Sequence, residues 1–520
     1  MSMVDCSAVR ERFEKMEHPL AVLMLIGLAI RLIIAPFFTF NIDMGYWAEV
    51  IDVFQNGFGL YGTAGYYYTP IWGYYLGFIS FTMQLFGITD YGVFVPELAS
   101  LVNSDFCVSA FVTSIQFNFL VKFPLILVDA VTGWLIYLIV IRSNGSRNKA
   151  LLAFALWFFC PIVITESTFH GTFDNMSVMM LLVSIVLVMD EKYTIAGAAF
   201  SAAVLTKFFP MFMVFFLVAY VLRKEGLDTK GVICVLKAIA GAAGAFVLIY
   251  LPNIIRGDFW QSLYFIAYRL GITRETLASI GVGTTVVLIL MFVAIIGLIA
   301  FAVARYGERF REHMLSMDEK ERNLKVAKVL GKTALAVIIL MGIVLLIRSI
   351  TGPVTLESGG SEVVLLVCIF SIFLEIYLAF RLLMLDEMDD RRVLTIMFLS
   401  GIGIIIWACA ASYTVVMIPF MCIYAGMVDQ RFLRPYIVFS ILYGISEITA
   451  FMLSPTSMIV YILGMDISVI LPVFRLLADP MLFGFSGAAV ITIFFGIGSY
   501  LSLIYISYKW YREYYERWKS

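Results

Sequence analysis

A carboxylate can take a proton and an ammonium or guanidinium can hold a phosphate. Here both are scarce, because 14% of the 520 residues are charged and 62% are apolar. Asp43, Glu49 and Asp52 stand without Lys or Arg in the stretch FNIDMGYWAEVIDVFQNGFGLYGTAGYYYTPIWGYYLG, between two apolar runs. Further on, His170, Asp174 and Asn175 lie in FHGTFDNM, and Lys207 and Pro210 interrupt YTIAGAAFSAAVLTKFFPMFMVFFLVAYVLRK. Arg256, Arg269 and Arg274 share the segment 253–280 with Asp258 and Glu275. An ionisable residue within lipid costs about 2.5–3.5 kcal/mol on insertion scales, which makes each intramembrane charge a functional candidate.

Spacing sorts these candidates. From Asp43, residues Tyr46, Trp47, Val50 and Phe54 recur at helical spacing, so an amphipathic helix is expected there with an aromatic stripe against the membrane. Asp52 and Glu49 fall off the face of Asp43 and are expected on a solvated face. Asp43 itself reads either as an N-cap or as a carboxylate available for chemistry. The following Gly- and Tyr-rich segment ends at Pro70, where a helix can begin. Its aromatic residues fit an interfacial belt or a surface for stacking on sugar rings. His170 and Asp174, four apart, can share one helical face. They fall short of the three or four ligands that hold zinc, so they read as a polar substrate wall or a capped helix start.

Proline disfavours helix at the residue before it, so the stretch around Lys207 reads as a helical hairpin bent at Lys207 and Pro210. The bend holds Lys207 in the outer half of the membrane. Snorkelling is the competing reading, opposed by the short arms of the hairpin. The arginines of 253–280 fit either a guanidinium fork on an anionic phosphate or interfacial lipid headgroups.

The elements that must position these groups are apolar runs of about 20 residues, the length of a bilayer crossing. Such runs lie near 19–40, 117–141, 232–252, 281–304, 330–350, 363–385, 393–411, 436–453 and 483–508, with shorter ones at 70–88, 150–167, 176–190 and 413–428. The expectation is an all-α polytopic membrane protein of about 12–14 transmembrane helices. Basic segments keep the N-terminus (Arg10, Arg12, Lys15), 142–149, 223–230, 305–332, 431–434 and the tail inside, which puts 41–69, 168–175 and 253–280 outside. Parity then requires either a re-entrant segment at 70–88 or 117–141, or a break at Lys122-Phe123-Pro124. It also keeps 454–482 at the outer side. The alternating charges of Arg305 to Lys332 read as a cytoplasmic linker, and Glu375 and Glu447 are expected to pair with neighbouring polar groups. A net charge of −1 with no basic stripe argues against nucleic acid as a partner. The seven cysteines are scattered singly, as small hydrophobes.

Taken in order, the outer-loop Asp near a Tyr, then YYYTPIWGYYLG, KFPLILVDAVTGWLIYLIV, HGTFDN, AAVLTKFFPMFMVFF and YLPNIIRGDFWQSLYFIAYRLG resemble membrane glycosyltransferases of the GT-C superfamily. The nearest likeness is to polyprenyl-phosphate-sugar-dependent mannosyltransferases, including the first mannosyltransferase of glycosylphosphatidylinositol assembly and its prokaryotic relatives. It covers residues 20–275, with a weaker echo in SYTVVMIPFMCIY. The resemblance implies a GT-C-like bundle whose first outer loop carries short amphipathic helices, with a catalytic module over 1–280 and variable C-terminal helices over 281–520. The family's acidic motif falls on residues 41–43 and puts Asn41 where relatives often carry a first Asp. That departure weighs against a bound divalent metal, so no cofactor is expected, and it leaves Asp43 as the catalytic carboxylate.

By the same resemblance Lys207 and Arg269 engage the donor phosphate, with Arg256 beside them. Asn41, Tyr46, Tyr68, His170 and Asp174 border the substrate pocket. The expected activity is transfer of a hexose, mannose by the resemblance, from a polyprenyl or dolichyl phosphate to a lipid-linked or glycan acceptor on the extracytoplasmic face. The membrane would be the cell membrane in a prokaryote or the endoplasmic reticulum in a eukaryote. A lipid or solute transporter is the alternative, since broken helices occur in transporters. No internal repeat between the two halves supports it.

Overall fold

The computed structural model describes residues 18–57, 59–62, 66, 68–99, 109–263, 282–351, 359–403, 411–482 and 484–519. Its architecture is all-α apart from two short antiparallel ribbons. The helices are, in chain order, α1 (Pro19–Ile34), α2 (Asn41–Gln55), α3 (Pro70–Leu85), α4 (Ile115–Arg142), α5 (Arg147–Phe158), α6 (Asp174–Met189), α7 (Tyr193–Thr206), α8 (Val214–Glu225), α9 (Thr229–Arg256), α10 (Val282–Leu315), α11 (Glu319–Thr351), α12 (Gly359–Leu383), α13 (Asp390–Gly403), α14 (Leu433–Ala450), α15 (Leu471–Ala478) and α16 (Gly487–Lys519). One ribbon pairs Gly92–Phe94 with Phe111–Thr113, and the other pairs Pro480–Leu482 with Phe485–Ser486. Most of the longer helices overlap the apolar runs, whereas 413–428 is broken into a 3-10 turn, a short α-helix and a π-turn, and residues 404–410 of the run 393–411 lie outside the described residues. Among the described residues, Ile115–Arg142, Thr229–Arg256 and Gly487–Tyr505 are long and apolar enough to cross a membrane, and Arg147–Phe158 with Pro161–His170 forms a further pair bent by 49°.

The chain divides into two compact units, residues 1–49, 82–175 and 425–520 in the first, and 50–81 and 176–424 in the second. In the first, α1, α4 and α5 pack together, and α14 lies along α16. α4 starts at Ser114, whose hydroxyl accepts the Phe117 N–H at 3.2 Å, a standard N-cap. It then runs unbroken through Pro124. The break considered at Lys122-Phe123-Pro124 therefore does not occur: proline removes one donor, and the rest of the helix's hydrogen bonds continue past it. After α5 the chain bends at Cys160 and Pro161 into a π-helical turn over Thr165–His170, closed by Gly171 at φ 73°. The segment 454–482 holds only short elements, Thr456–Tyr461, a 3-10 turn and α15, none of spanning length.

In the second unit the hairpin is broken where the sequence predicts. α7 ends at Thr206, Lys207 is extended (φ −144°, ψ 136°), and a 3-10 turn over Phe209–Met213 leads into α8. α7 and α9 pack closely because glycines meet backbone. A Cβ on Gly197 would lie 1.8 Å from the Ala238 carbonyl oxygen, and one on Gly241 would lie 1.8 Å from that of Thr194. This is the small-residue crossing that lets helices approach in lipid, where no hydrophobic force drives them together. α9 presents Val247, Leu248 and Ile255 outward, an apolar surface suited to lipid rather than water. The charged stretch from Arg305 to Lys332 is not a separate linker. α10 and α11 run through it and turn at 316–318, where Asp318 accepts the Lys320 N–H at 3.0 Å.

At the end of this hairpin the Tyr193 hydroxyl donates to Glu225, and Lys230 Nζ lies 2.9 Å from the same carboxylate. The Tyr193 hydrogen bond, with Lys230, holds the Glu225 carboxyl below its ordinary value.

Two outcomes follow. Gly197→Val should lower the thermal midpoint in detergent, at a cost of about 1–3 kcal/mol from overpacking. Tyr193→Phe should cost about 1 kcal/mol near neutrality. A carboxylate whose folded pKa is depressed contributes stability above its unfolded pKa and loses it as pH falls through the folded one. The gap between wild type and Tyr193→Phe should therefore close below about pH 4.

Candidate active site

Asp43 owes its place to the segment 35–40 between α1 and α2, which the first unit clamps on two sides. Lys122, buried in α4, donates from Nζ to the carbonyls of Ala35, at 3.2 Å, and Phe38. Asn118, one turn earlier, donates to Pro36 O at 3.1 Å and to Ser457 Oγ at 2.8 Å. From the other side Thr39 and Ser454 exchange backbone hydrogen bonds, and the Thr456 hydroxyl donates to Asn41 Oδ1 at 3.1 Å. Asn41 is thus buried and committed to Thr456. Asp43 is the third residue of α2, in its first turn, where the helix dipole favours a carboxylate. The N-cap reading of Asp43 is therefore replaced, since the helix already begins at Asn41. The stripe of α2 is also corrected: Met44, Trp47, Val50 and Ile51 are buried inside the protein instead of lying on lipid. Tyr46 sits half-buried beside Trp47, ring centroids 5.2 Å apart. Glu49 and Asp52 are exposed, as expected.

Against Asp43 stands His170, whose Nε2 is 3.8 Å from Asp43 Oδ2 and whose Nδ1 is 3.6 Å from Glu166 Oε2. The imidazole packs against Phe40 and Phe451, with ring centroids at 4.6 and 4.2 Å, and the two phenylalanines touch each other at 5.2 Å. Glu166 also accepts from the Thr172 hydroxyl. Asp174, buried, opens α6. Glu447, buried in α14, lies within electrostatic range of Glu166 and Asp174, and neither of its oxygens has a hydrogen-bond partner among the described residues. It therefore neighbours two carboxylates, in place of the polar pairing expected for it. His170 and Asp174 do not share a helical face, because Gly171 in the left-handed region ends the π-turn between them. A Cβ on Gly171 would fall 2.6 Å from Met44 Sδ and 3.3 Å from Lys122 Cε, so glycine is required there twice over. In this cluster Asp43 is 28% exposed, whereas the side chains of His170 and Glu166 are at 2% and 0%.

The π-turn is anchored from below by Asp129 of α4. Its Oδ2 accepts from Arg31 Nε at 3.2 Å and from the Ser167 hydroxyl at 2.5 Å, and its Oδ1 accepts from Asn175 Nδ2 at 2.6 Å. Trp157 Nε1 donates to the Asp129 carbonyl at 3.0 Å, and the Arg31 guanidinium lies 4.3 Å above the Phe158 ring. Three helices and the turn carrying Glu166 and His170 thereby share one buried carboxylate.

The second unit holds the remaining candidates. Lys207 is buried, with Nζ 5.3 Å above the Tyr68 ring, a cation–π distance. Tyr68 belongs to an aromatic cluster with Tyr66 and Tyr61, with neighbouring centroids 5.9 and 5.5 Å apart. The Tyr61 hydroxyl donates to Tyr68 O at 2.8 Å. Burial pushes the Tyr61 phenol up, so it stays a neutral donor. Arg256 is 58% exposed and 3.8 Å from Asp258 Oδ2. Arg269, with Arg274, Glu275 and the basic residues Arg10, Arg12 and Lys15, lies outside the described residues.

Arg31, Lys122, Asp129 and Glu166 carry no role in the sequence reading. Each is nevertheless a charged residue within an apolar run, the signal that singled out Lys207. Among the described residues, no three His, Cys, Asp or Glu side chains are disposed to hold a metal ion.

Residues 106–255 match the family model described as dolichyl-phosphate-mannose-protein mannosyltransferase. The matched span carries Lys122, Asp129, Glu166, His170, Asp174 and Lys207, and supports a GT-C membrane glycosyltransferase. No curated protein matches the chain, and no solved structure does.

Breaking a buried ion pair strands its partner. Asp129→Ala should therefore destabilise the protein by about 3–5 kcal/mol in detergent unfolding, while the double variant Arg31→Met/Asp129→Leu should lose less than the sum of the two single changes.

Proposed function

We propose that this GT-C membrane glycosyltransferase moves a hexose, mannose in our reading, from a polyprenyl or dolichyl phosphate carrier to a hydroxyl of a lipid-linked or glycan acceptor. The reaction takes place on the extracytoplasmic face, in a polytopic bundle of about 12–14 spans. The observation that carries this reading is the accessibility of Asp43 in an otherwise buried carboxylate and imidazole cluster. A substrate can reach that carboxylate.

The donor brings its own leaving group, a phosphate. The enzyme must add a base for the acceptor and positive charge for the departing oxygen. In the proposed step the acceptor oxygen bonds to the sugar's anomeric carbon as the bond from that carbon to the phosphate oxygen breaks. The electron pair leaves with the phosphate, and the acceptor's proton passes to Asp43. Proton transfer by a positioned group contributes about 10²–10⁴ in rate. Lys207, Arg269 and Arg256 are assigned to the phosphate, where fixed positive charge stabilises the developing anion. Lys207 supports its assignment best, as a buried ammonium at a helix break beside Tyr68. Arg256 already faces Asp258 and is the more peripheral contact. Asn41, Tyr46, Tyr68, His170 and Asp174 are assigned to the walls of the substrate pocket, with aromatic faces suited to a sugar ring.

Transfer of radiolabel from a polyprenyl-phosphate mannose in detergent tests the reading, because no gradient exists there for a transporter to use. Wild type should transfer. Asp43→Asn, folded to the same thermal midpoint, should lose about 10²-fold or more. Full activity in that variant removes the assignment. Failure of wild type with every polyprenyl-phosphate hexose, together with solute or lipid flux in vesicles, would favour the transporter instead.

A further inference from the structure

We infer that His170 and Glu166 form a proton-holding pair behind Asp43, with the imidazole receiving the acceptor's proton from Asp43 and Glu166 stabilising the imidazolium that results. This rests on the reading of Asp43 as the base and deepens it. The geometry is a line of three groups in the first unit. Asp43 Oδ2 is 3.8 Å from His170 Nε2, and His170 Nδ1 is 3.6 Å from Glu166 Oε2, so each ring nitrogen addresses its own carboxylate. Two aromatic rings that also touch each other pack against the imidazole, Phe40 edge-on and Phe451 tilted. A residue that merely lined a sugar pocket would not need its second nitrogen turned inward to a fully buried carboxylate.

The step balances within the site. When the acceptor oxygen joins the anomeric carbon and the phosphate departs, the hydroxyl proton moves to Asp43 Oδ2 and on to His170 Nε2. Asp43 is then a carboxylate again, and His170 carries Nδ1–H and Nε2–H between two negative groups. After the products leave, the proton returns through Asp43, the exposed end of the line, to water. The gaps exceed hydrogen-bond length by several tenths of an ångström, and such contacts commonly tighten once substrate is bound.

Beside Asp43 of α2 and Glu166 of the π-turn, the charged groups around this line are Lys122 of α4, packed against Gly171, and Glu447 of α14, within electrostatic range of Glu166 and of Asp174 at the start of α6. The three groups titrate as a set, and the acid limb of the rate profile reports the set and no single member.

The test compares His170→Gln and Glu166→Gln with wild type by kcat, donor KM and the pH dependence of kcat in detergent. Glutamine keeps the volume at both sites. In His170→Gln, kcat should fall about 10²-fold with the donor KM unchanged. In Glu166→Gln, loss of a negative charge beside the imidazole should move the acid limb to lower pH by about one unit. Wild-type kcat and an unmoved limb in both variants overturn the pair, as does a loss confined to KM, which a pocket wall would give. Should His170→Gln fail to fold, the limb of Glu166→Gln decides alone. An inactive Asp43→Asn beside unaffected His170→Gln and Glu166→Gln sinks only the pair. An active Asp43→Asn sinks the base reading itself.

Discussion

The carboxylate of Asp129 is the constraint on which the first unit depends. It is buried, and so is its guanidinium partner Arg31. Such a pair gives little net stability, because desolvating both charges costs about what their attraction returns. What it gives is position. Asp129 spends Oδ2 on Arg31 and Ser167 and Oδ1 on Asn175. Ser167 lies between Glu166 and His170, and Asn175 follows Asp174 directly, so one rigid carboxylate fixes both ends of the segment that holds Glu166, His170 and Asp174. Trp157, bonded to the Asp129 carbonyl, adds the helix from which that segment departs.

Lys122 applies the same logic one level higher. Its ammonium meets carbonyls left open at the end of α1, so it fixes the approach to α2 without a counter-carboxylate among its hydrogen-bond partners. Gly171 sits between Lys122 and Met44 with no room for a side chain. The π-turn and the first turn of α2 can therefore come close enough for His170 to face Asp43. Removing charge at Lys122 or adding bulk at Gly171 acts on the same distance.

How much of this is legible in the sequence depends on the kind of signal. Helix positions follow from apolar run length, and the break at Lys207 follows from Pro210, because both are local properties. The pairing of Arg31 with Asp129 spans 98 positions and leaves no local trace beyond two charges in apolar runs. The π-turn is hidden for a different reason: TESTFHGTFDN is polar enough to read as a loop, whereas the fold buries it. The aromatic stripe of α2 is visible, but its direction is not, since periodicity identifies an apolar face without saying whether protein or lipid covers it. Asp43 and His170 are both legible as candidates. Their contact is tertiary and could come only from coordinates.

The π-turn itself explains why Glu166, His170 and Asp174 can act differently although they recur every four residues. On one continuous α-helix the three would stack along a single face, and their charges would merge into one cluster with one exposure. Here the wider turn keeps Glu166 at the inner nitrogen of His170, and Gly171 then ends it, with the Glu166 carbonyl accepting from both the Gly171 and Thr172 N–H groups. Asp174 restarts a helix whose first turn has free N–H groups to favour its charge. Glu166 and Asp174 thus have different surroundings, and the one within reach of the inner nitrogen of His170 is fully buried. The outer nitrogen faces Asp43, which is more exposed than His170 or Glu166. π-Turns inside helices recur at functional sites because the extra residue shifts side chains that a regular helix would hold in register, and here that shift separates groups that would otherwise stack.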